Sequence, residues 1–304
     1  MTAPSGQQHR IRHGDQQATV VEVGGSIREY TAGGVPVLDP YAESAMCDGA
    51  HGTPLIPWPN RLADGRYSFG GADYQVALTE PGKANAIHGF LRWQPFVATR
   101  HDEDRVVMAA SVFPQSGYPF RLDVSVSYEL GEGGLVVTTT ATNGGDATLP
   151  YGVGQHPYLS AGGGLLDACE LSFQAATRIV TDEHRQLPTG TAPVAGTEYD
   201  FGARRPIGDL QCDFAFTDLA RDESGRAWVR LWRPDGTVAE LWIDEDYPYL
   251  EIFTGDTLAP DRRRRGLGCE PMSCPPNAFQ TGQQVIRLEP GASVSHRWGA
   301  RLGR

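Results

Sequence analysis

The decapeptide RLDVSVSYEL, residues 121–130, constrains this chain more than any other stretch. Leu122, Val124, Val126, Tyr128 and Leu130 fall on one side of an extended backbone, and Arg121, Asp123, Ser125, Ser127 and Glu129 on the other. A period of two held for ten residues predicts a strand with one buried face. The same grammar recurs along the chain. TVVEV, SIREYTA and VPVL, between residues 19 and 38, are separated by paired glycines and read as a meander. RYSFGGADYQVAL, residues 66–78, reads as a hairpin about Gly70 and Gly71, and LVVTTTAT follows RLDVSVSYEL after a Gly-rich turn. AWVRLW, RPDG and TVAELWI form another hairpin, and QQVIRL with ASVSHRW make a last pair around Glu289, Pro290 and Gly291. No window carries a convincing apolar stripe at i, i+3, i+4 and i+7, so helices should be few and short.

The 37 glycines and 22 prolines are spread as punctuation and do not gather in one block, and no linker divides the 304 residues. Residues 1–304 therefore read as a single all-β domain, with residues 1–16 as a loose N-terminal tip. Strands of ~5–6 residues with turns every ~8–12 imply roughly twenty or more strands. That number exceeds a seven-strand sandwich and predicts one large antiparallel β-sandwich of two curved sheets.

A net charge of −11 argues against nucleic acid as a partner and favours a neutral or cationic small ligand. Residues 1–30 lack the basic, apolar and small-residue order of a signal peptide, and no apolar run approaches a membrane span, so a cytoplasmic protein without a membrane partner is expected. Cys47, Cys169, Cys212, Cys269 and Cys274 form no CxxC pair and read as reduced, mostly buried thiols.

Three polar positions have peculiar surroundings. Glu270 lies in GCEPMSCPPNAF, residues 268–279, where prolines predict rigid irregular backbone instead of a helix or central strand. His88, in NAIHGFLRW, reads alone as a satisfied core imidazole, and His156, followed by Pro157, as either a turn histidine or a site residue. One carboxylate and two imidazoles suffice for general acid–base chemistry near neutrality. In PLIPWPNRLADGRY, residues 54–67, a proline-stiffened loop offers Trp58, Asn60 and Arg61, with Arg61 expected to face a ligand. Arg262 to Arg265 form a basic run that reads as a solvated loop face, with phosphate binding as the alternative.

PWPNRLADGRYSF, NAIHGF, GVGQHPYL, CDFAFTDL, IFTGDTL and CEPMSCPPNAF, in this order from about Pro54 to Phe279, resemble the aldose 1-epimerase (galactose mutarotase) family. The resemblance implies a galactose-mutarotase-like sandwich that needs no metal or cofactor and interconverts the α and β anomers of a free aldose such as glucose or galactose. It implies Glu270 as general base, His156 as general acid, His88 as the second site histidine, and Arg61 and Asp213 as sugar-binding residues. Asn60, Trp58 and Glu251 join them as expected substrate contacts, with Tyr158 and Phe279 as further candidates to cover a sugar face. Glu251, in YLEIFTGD, falls where other members often carry a neutral residue. A free Glu near ~4.3 would be ionised at pH 7, and a His near ~6.5 would need only a modest upward push to be protonated. A hexose 6-phosphate or modified sugar as substrate, and a non-catalytic sugar-binding protein on the same fold, remain as alternatives. As partners the reading names a small-molecule sugar, with the chain a monomer or homodimer.

Overall fold

A computed structural model describes residues 3–303, and it consists almost wholly of short strands. Among these residues the one α-helix is Ala278–Thr281, accompanied by three single-turn 3-10 segments. The RLDVSVSYEL stretch falls in the Leu122–Gly131 strand, which buries alternate residues along nearly its whole length. It pairs antiparallel with Arg105–Val112 on one side and Gly134–Asn143 on the other.

Two sheets carry the architecture. The larger has twelve strands, and its main path runs Gln8–His13, Gln16–Val21, Ile27–Ala32, Val35–Leu38, Tyr158–Ser160, Gly266–Met272, Tyr249–Phe253, Asp213–Leu219, Ala175–Thr181 and Pro188–Pro193. The two-residue strands Gly154–Gln155 and Pro54–Leu55 join it beside Met272. The smaller sheet has nine strands, with Leu122–Gly131, Gly134–Asn143, Ser293–Gly303 and Val238–Ile243 as neighbours at its centre. Val124, Val126, Tyr128 and Trp298 from the smaller sheet and Leu250, Ile252 and Leu267 from the larger belong to one buried core. Leu250 and Ile252 point into that core, so the residues alternating with them, including Glu251, face the opposite side of the large sheet. That outer face is where the polar site forms.

Three expectations are corrected. The N-terminal tip is not loose from Gln8 onward: Gln8–His13 forms an edge strand on Gln16–Val21 and buries Ile11 in the core. QQVIRL and ASVSHRW do not pair with each other. Ile286–Leu288 pairs with Leu149–Tyr151, while Ser293–Gly303 enters the smaller sheet between Gly134–Asn143 and Val238–Ile243. The buried Asn143 explains the separation, because its side-chain amide donates to the Leu288 carbonyl and its backbone carbonyl accepts from Gly291 N–H.

Glu270 supplies the third correction. It lies in a central strand, Gly266–Met272, despite Pro271. Cys269 N–H donates to Pro157 and Ser273 N–H to Val153, on the side that Pro271 nitrogen also faces. Between those two bonds the neighbouring chain is interrupted, at His156 and Pro157 between the strands Gly154–Gln155 and Tyr158–Ser160. The proline's missing donor therefore falls where the ladder is already open. No helix among the described residues is long and apolar enough to cross a membrane.

Candidate functional site

Antiparallel register builds the floor of the site. Glu251 sits directly opposite Glu270 on adjacent strands, and Ala215 sits opposite Glu251, so Asp213, two residues from Ala215, shares the same outer face. His156 enters from the strand interruption on the other flank of the Glu270 strand, with its backbone N–H held by the Thr53 carbonyl at 3.0 Å. Three carboxylates and an imidazole thus line up across neighbouring chain segments.

The wall comes from the proline-rich loop and the segment that carries His88. His88 N–H donates to the Asn60 carbonyl at 3.0 Å, and Asn60 N–H donates to His88 Nδ1 at 3.2 Å. A neutral His88 so held keeps its proton on Nε2. Both residues have positive φ, 55° at Asn60 and 64° at His88, a strained backbone fixed by this reciprocal pair. Gly89, also at positive φ, lets the chain pass so close that a Cβ there would lie 2.0 Å from the Ile56 carbonyl oxygen. Arg61 is anchored by both Nε (2.9 Å) and Nη2 (3.2 Å) to Glu80. Burial alone would raise Glu80, but hydrogen bonds from Arg61 and Asn85 bring its carboxyl below the usual range.

These segments enclose a cavity of about 260 Å³ lined by Asn60, Arg61, His88, His156, Asp213, Glu251 and Glu270, with Glu80 and Arg92 beside them. That is room for one small ring. A larger depression of about 740 Å³ lies elsewhere, near Tyr30, Glu240 and Arg301, but its buried polar side chains are already paired: Glu240 with Arg230 and Arg301, and Tyr30 with Gln16. The smaller cavity is different. Glu270 Oε2, Glu251 Oε2 and His156 Nδ1 are buried and without a hydrogen-bond partner, an arrangement that suits a polar ligand supplying several hydroxyls.

At its centre His156 Nε2 and Glu270 Oε1 are 3.0 Å apart, both side chains almost wholly buried. The His156 ring stacks on Tyr158 at 5.0 Å between centroids, and the His88 ring stands edge-on to it at 5.4 Å. Burial, then the Glu270 and Asp213 charges, hold the Glu251 carboxyl well above its ordinary range, with Arg61 and Asn60 opposing. Burial, then Asp213, do the same to Glu270 against the pull of Arg61. Burial, followed by the Arg92 charge, takes His156 down to about 3, and burial, His156, Arg92 and Arg61 lower His88. The expected upward push on His156 is therefore reversed. Desolvation outweighs the upward pull of Asp213 on His156 and favours the neutral forms of both the imidazole and the Glu270 carboxyl.

Trp58 is the expected contact that the cavity does not include. It is buried against Phe90 and Phe279, at 4.8 and 5.5 Å between ring centroids, as part of the core. Phe279 and Tyr158 are likewise absent from the lining, and Tyr158 is sandwiched between His156 and His51. The basic run is not simply a solvated face. Arg262 binds Asp39, and the buried Arg264 binds Asp167 and Asp256, so both are engaged in holding loops together. Glu80 and Arg92 were not foreseen. Arg92 stands four residues after His88 in the motif already singled out, whereas Glu80, in TEPGK, carries no local signal. Among the described residues no cluster of His, Cys, Asp and Glu is arranged to hold a metal ion.

A family model described as aldose 1-epimerase matches residues 7–300. The chain is 33% identical over 288 residues to the uncharacterized protein YihR of Escherichia coli, covering 94% of this chain and 90% of the relative. It is 31% identical over 265 residues to human galactose mutarotase, covering 78% and 74% respectively. Among solved structures, the GalM/aldose epimerase homologue from C. elegans superposes with a TM-score of 0.86 at 17% identity, over 98% of this chain and 99% of that one. Galactose 1-epimerase from Lactobacillus acidophilus gives 0.78 at 19% identity, over 96% and 93%.

Proposed function

The chain belongs to the aldose 1-epimerase family, and from that premise we propose that it is a cofactor-independent mutarotase that interconverts the α and β anomers of an aldopyranose. The observation that carries this reading is the buried His156–Glu270 pair, 3.0 Å apart, with a free polar atom on each side chain. Mutarotation moves a proton from the anomeric hydroxyl to the ring oxygen, breaks the bond between C1 and that oxygen, lets C1 rotate, and closes the ring on the other face of the aldehyde. Each direction needs one group to take a proton and another to give one. A pair that holds a single proton meets that need.

In this reading Glu270 takes the proton of the anomeric hydroxyl while His156 delivers one to the ring oxygen, and ring closure reverses the transfers. Sugar hydroxyls donating to the free Oε2 of Glu270 favour its carboxylate and so move the shared proton towards His156. His88, its Nδ1 occupied by Asn60, offers its Nε2 hydrogen as a donor. Asp213 and Glu251 exchange hydrogen bonds with the remaining hydroxyls, and Arg61 and Asn60 form the adjoining wall. Five unpaired, buried cysteines support a reducing compartment such as the cytoplasm.

The test is equilibration of freshly dissolved α-glucose and α-galactose, followed by polarimetry or by anomeric-proton NMR against a buffer blank. The wild-type protein should exceed the blank, and Glu270→Gln should lose roughly 10²–10⁴ of the enhancement. Full activity in Glu270→Gln would remove Glu270 from the chemistry.

A further inference from the structure

Two arginines line the cavity, and they differ in one respect. Arg61 is engaged by Glu80 through two hydrogen bonds, whereas the guanidinium of Arg92 has no hydrogen-bond or ion-pair partner among the described residues, and its Nε is buried. Its nearest aromatic neighbour is the adjoining Trp93 ring, 5.1 Å from Cζ. The backbone beneath is fixed. Arg92 occupies a single 3-10 turn, Leu91–Trp93, that is tied to the Ile56 carbonyl through Phe90 and closed by Gln94 N–H on Leu91. A rigidly mounted, half-buried cation with no counter-charge of its own has given up water without receiving an anion in return.

Its place in the cavity follows from the chain. Arg92 lies four residues after His88 and lines the same cavity as both histidines, and the His88 ring stands edge-on to that of His156 at 5.4 Å. Arg92 therefore belongs to the segment that forms the histidine side of the site. A pyranose ring oxygen has two carbon neighbours, C1 and C5. With Glu270 at the C1 hydroxyl and His156 at the ring oxygen, a group beyond His156 meets C5 and the exocyclic carbon it carries.

We propose that Arg92 forms an oxyanion subsite at the exocyclic end of the sugar, so that the preferred substrate is an aldose bearing a negatively charged substituent. This rests on the mutarotase reading above. The chain's overall charge of −11 does not oppose it, because a guanidinium in contact with the ligand acts at hydrogen-bond distance while surface charges are screened within about 8–10 Å. The anion has a second effect. By neutralising the Arg92 charge, which after burial is the next cause of the lowered His156 value, it lets His156 take up a proton more readily, so the preference extends to kcat as well as KM.

The experiment compares glucose, galactose, glucose 6-phosphate and glucuronic acid, each against its own uncatalysed rate at fixed ionic strength, for wild type, Arg92→Gln and Arg92→Lys. Phosphate and carboxylate arms distinguish the two common sources of an oxyanion. We expect at least one anionic sugar to exceed both neutral hexoses in kcat/KM. Arg92→Gln should shrink that ratio about ten- to a hundredfold, and Arg92→Lys should restore part of it. Because the Arg92 side chain makes no polar contact in the fold, the variants should remain folded, which their melting curves check. Neutral hexoses accelerated as well as or better than the anionic ones, or a ratio unmoved by Arg92→Gln, would overturn the subsite while leaving the mutarotase reading intact. Acceleration of no sugar at all would overturn that reading and the subsite with it.

Discussion

Between His156 and Glu270 the physically important quantity is the number of protons the pair holds. Burial lowers the histidine to about 3 and raises the carboxyl, so both effects favour a neutral imidazole beside a protonated carboxyl, one titratable proton for the pair, over a wide range. The surrounding charges come from several elements: Glu251 on the strand beside Glu270 and Asp213 on the next one, Arg61 and Glu80 on the wall, and Arg92 on the segment that carries His88. On the acid side, activity is lost only when a second proton reaches His156, far below the ordinary value of ~6.5. On the alkaline side it is lost when the shared proton leaves, above the usual carboxylate range. We therefore expect kcat/KM to stay level between about pH 5 and about pH 7, read by anomeric NMR with the blank subtracted. A fall centred near ~6.5 would mean that His156 titrates as an independent imidazole and that no proton is shared. At this scale the sequence showed which residue types could do the chemistry, because Glu270, His156 and His88 each stand in unusual local company. It could not show their protonation, which depends on burial created by residues far away in the chain. Nor could it show that Trp58 lies in the core outside the cavity lining, because an aromatic residue in a proline-rich loop looks the same whether it covers a ligand or fills a core.

The strands themselves were legible wherever one face is buried and the other is not. Leu122–Gly131 shows this, and so does the Ala227–Trp232 and Val238–Ile243 hairpin. The Glu270 strand was not, since Gly266–Met272 is buried on both faces, has no alternation to read, and contains a proline accommodated only by a gap in its neighbour. Ile286–Leu288 and Ser293–Gly303 look like a hairpin locally, but a single asparagine 145 residues away from Leu288 in sequence decides where they go. The crossing of the His88 segment over the Ile56 carbonyl is equally non-local, and it makes a sharp prediction. Gly89 and Gly70 both have positive φ, 66° and 61°, yet only at Gly89 does a Cβ meet backbone, whereas Gly70 has open space around it. Gly70→Ala should cost about 1 kcal/mol, the backbone strain alone, and Gly89→Ala about 2–3 kcal/mol or more, since the chain must also move. Urea unfolding of the two variants measures the difference. Gly89→Ala should also lose most of the proposed mutarotase activity, because His88 is the adjacent residue. Equal costs at the two glycines would show that the close approach to Ile56 contributes nothing.

Across the whole molecule the large sheet carries a row of carboxylates on one face while the other face seals an apolar core, an arrangement that stability alone would not select. Glu251 makes the cost measurable. The residue is 2% exposed and sits opposite Glu270, and its carboxyl is held well above its ordinary range chiefly by burial and next by Glu270 and Asp213. With a folded-state pKa raised above the unfolded one, its contribution to stability is complete below about pH 4.5 and declines as pH rises towards the folded value. In that window the unfolded chain gives up a proton that the folded chain retains. Glu251→Gln keeps the shape and removes the titration. It should therefore raise Tm at neutral pH by roughly 2–4 °C, the shift that about 1–2 kcal/mol produces in a chain of this size. The gain should be larger at pH 8 than at pH 5, because the penalty being removed grows with pH. Calorimetry at the two pH values tests both the size and the sign. A Glu251→Gln variant less stable than wild type at pH 8, or a gain that shrinks as pH rises, would mean that Glu251 is stabilised as a carboxylate, with Arg61 and Asn60 outweighing burial. The stability given up to keep an acid at this position would then have no basis in Glu251, and its role against the ligand would have to be that of a fixed negative charge.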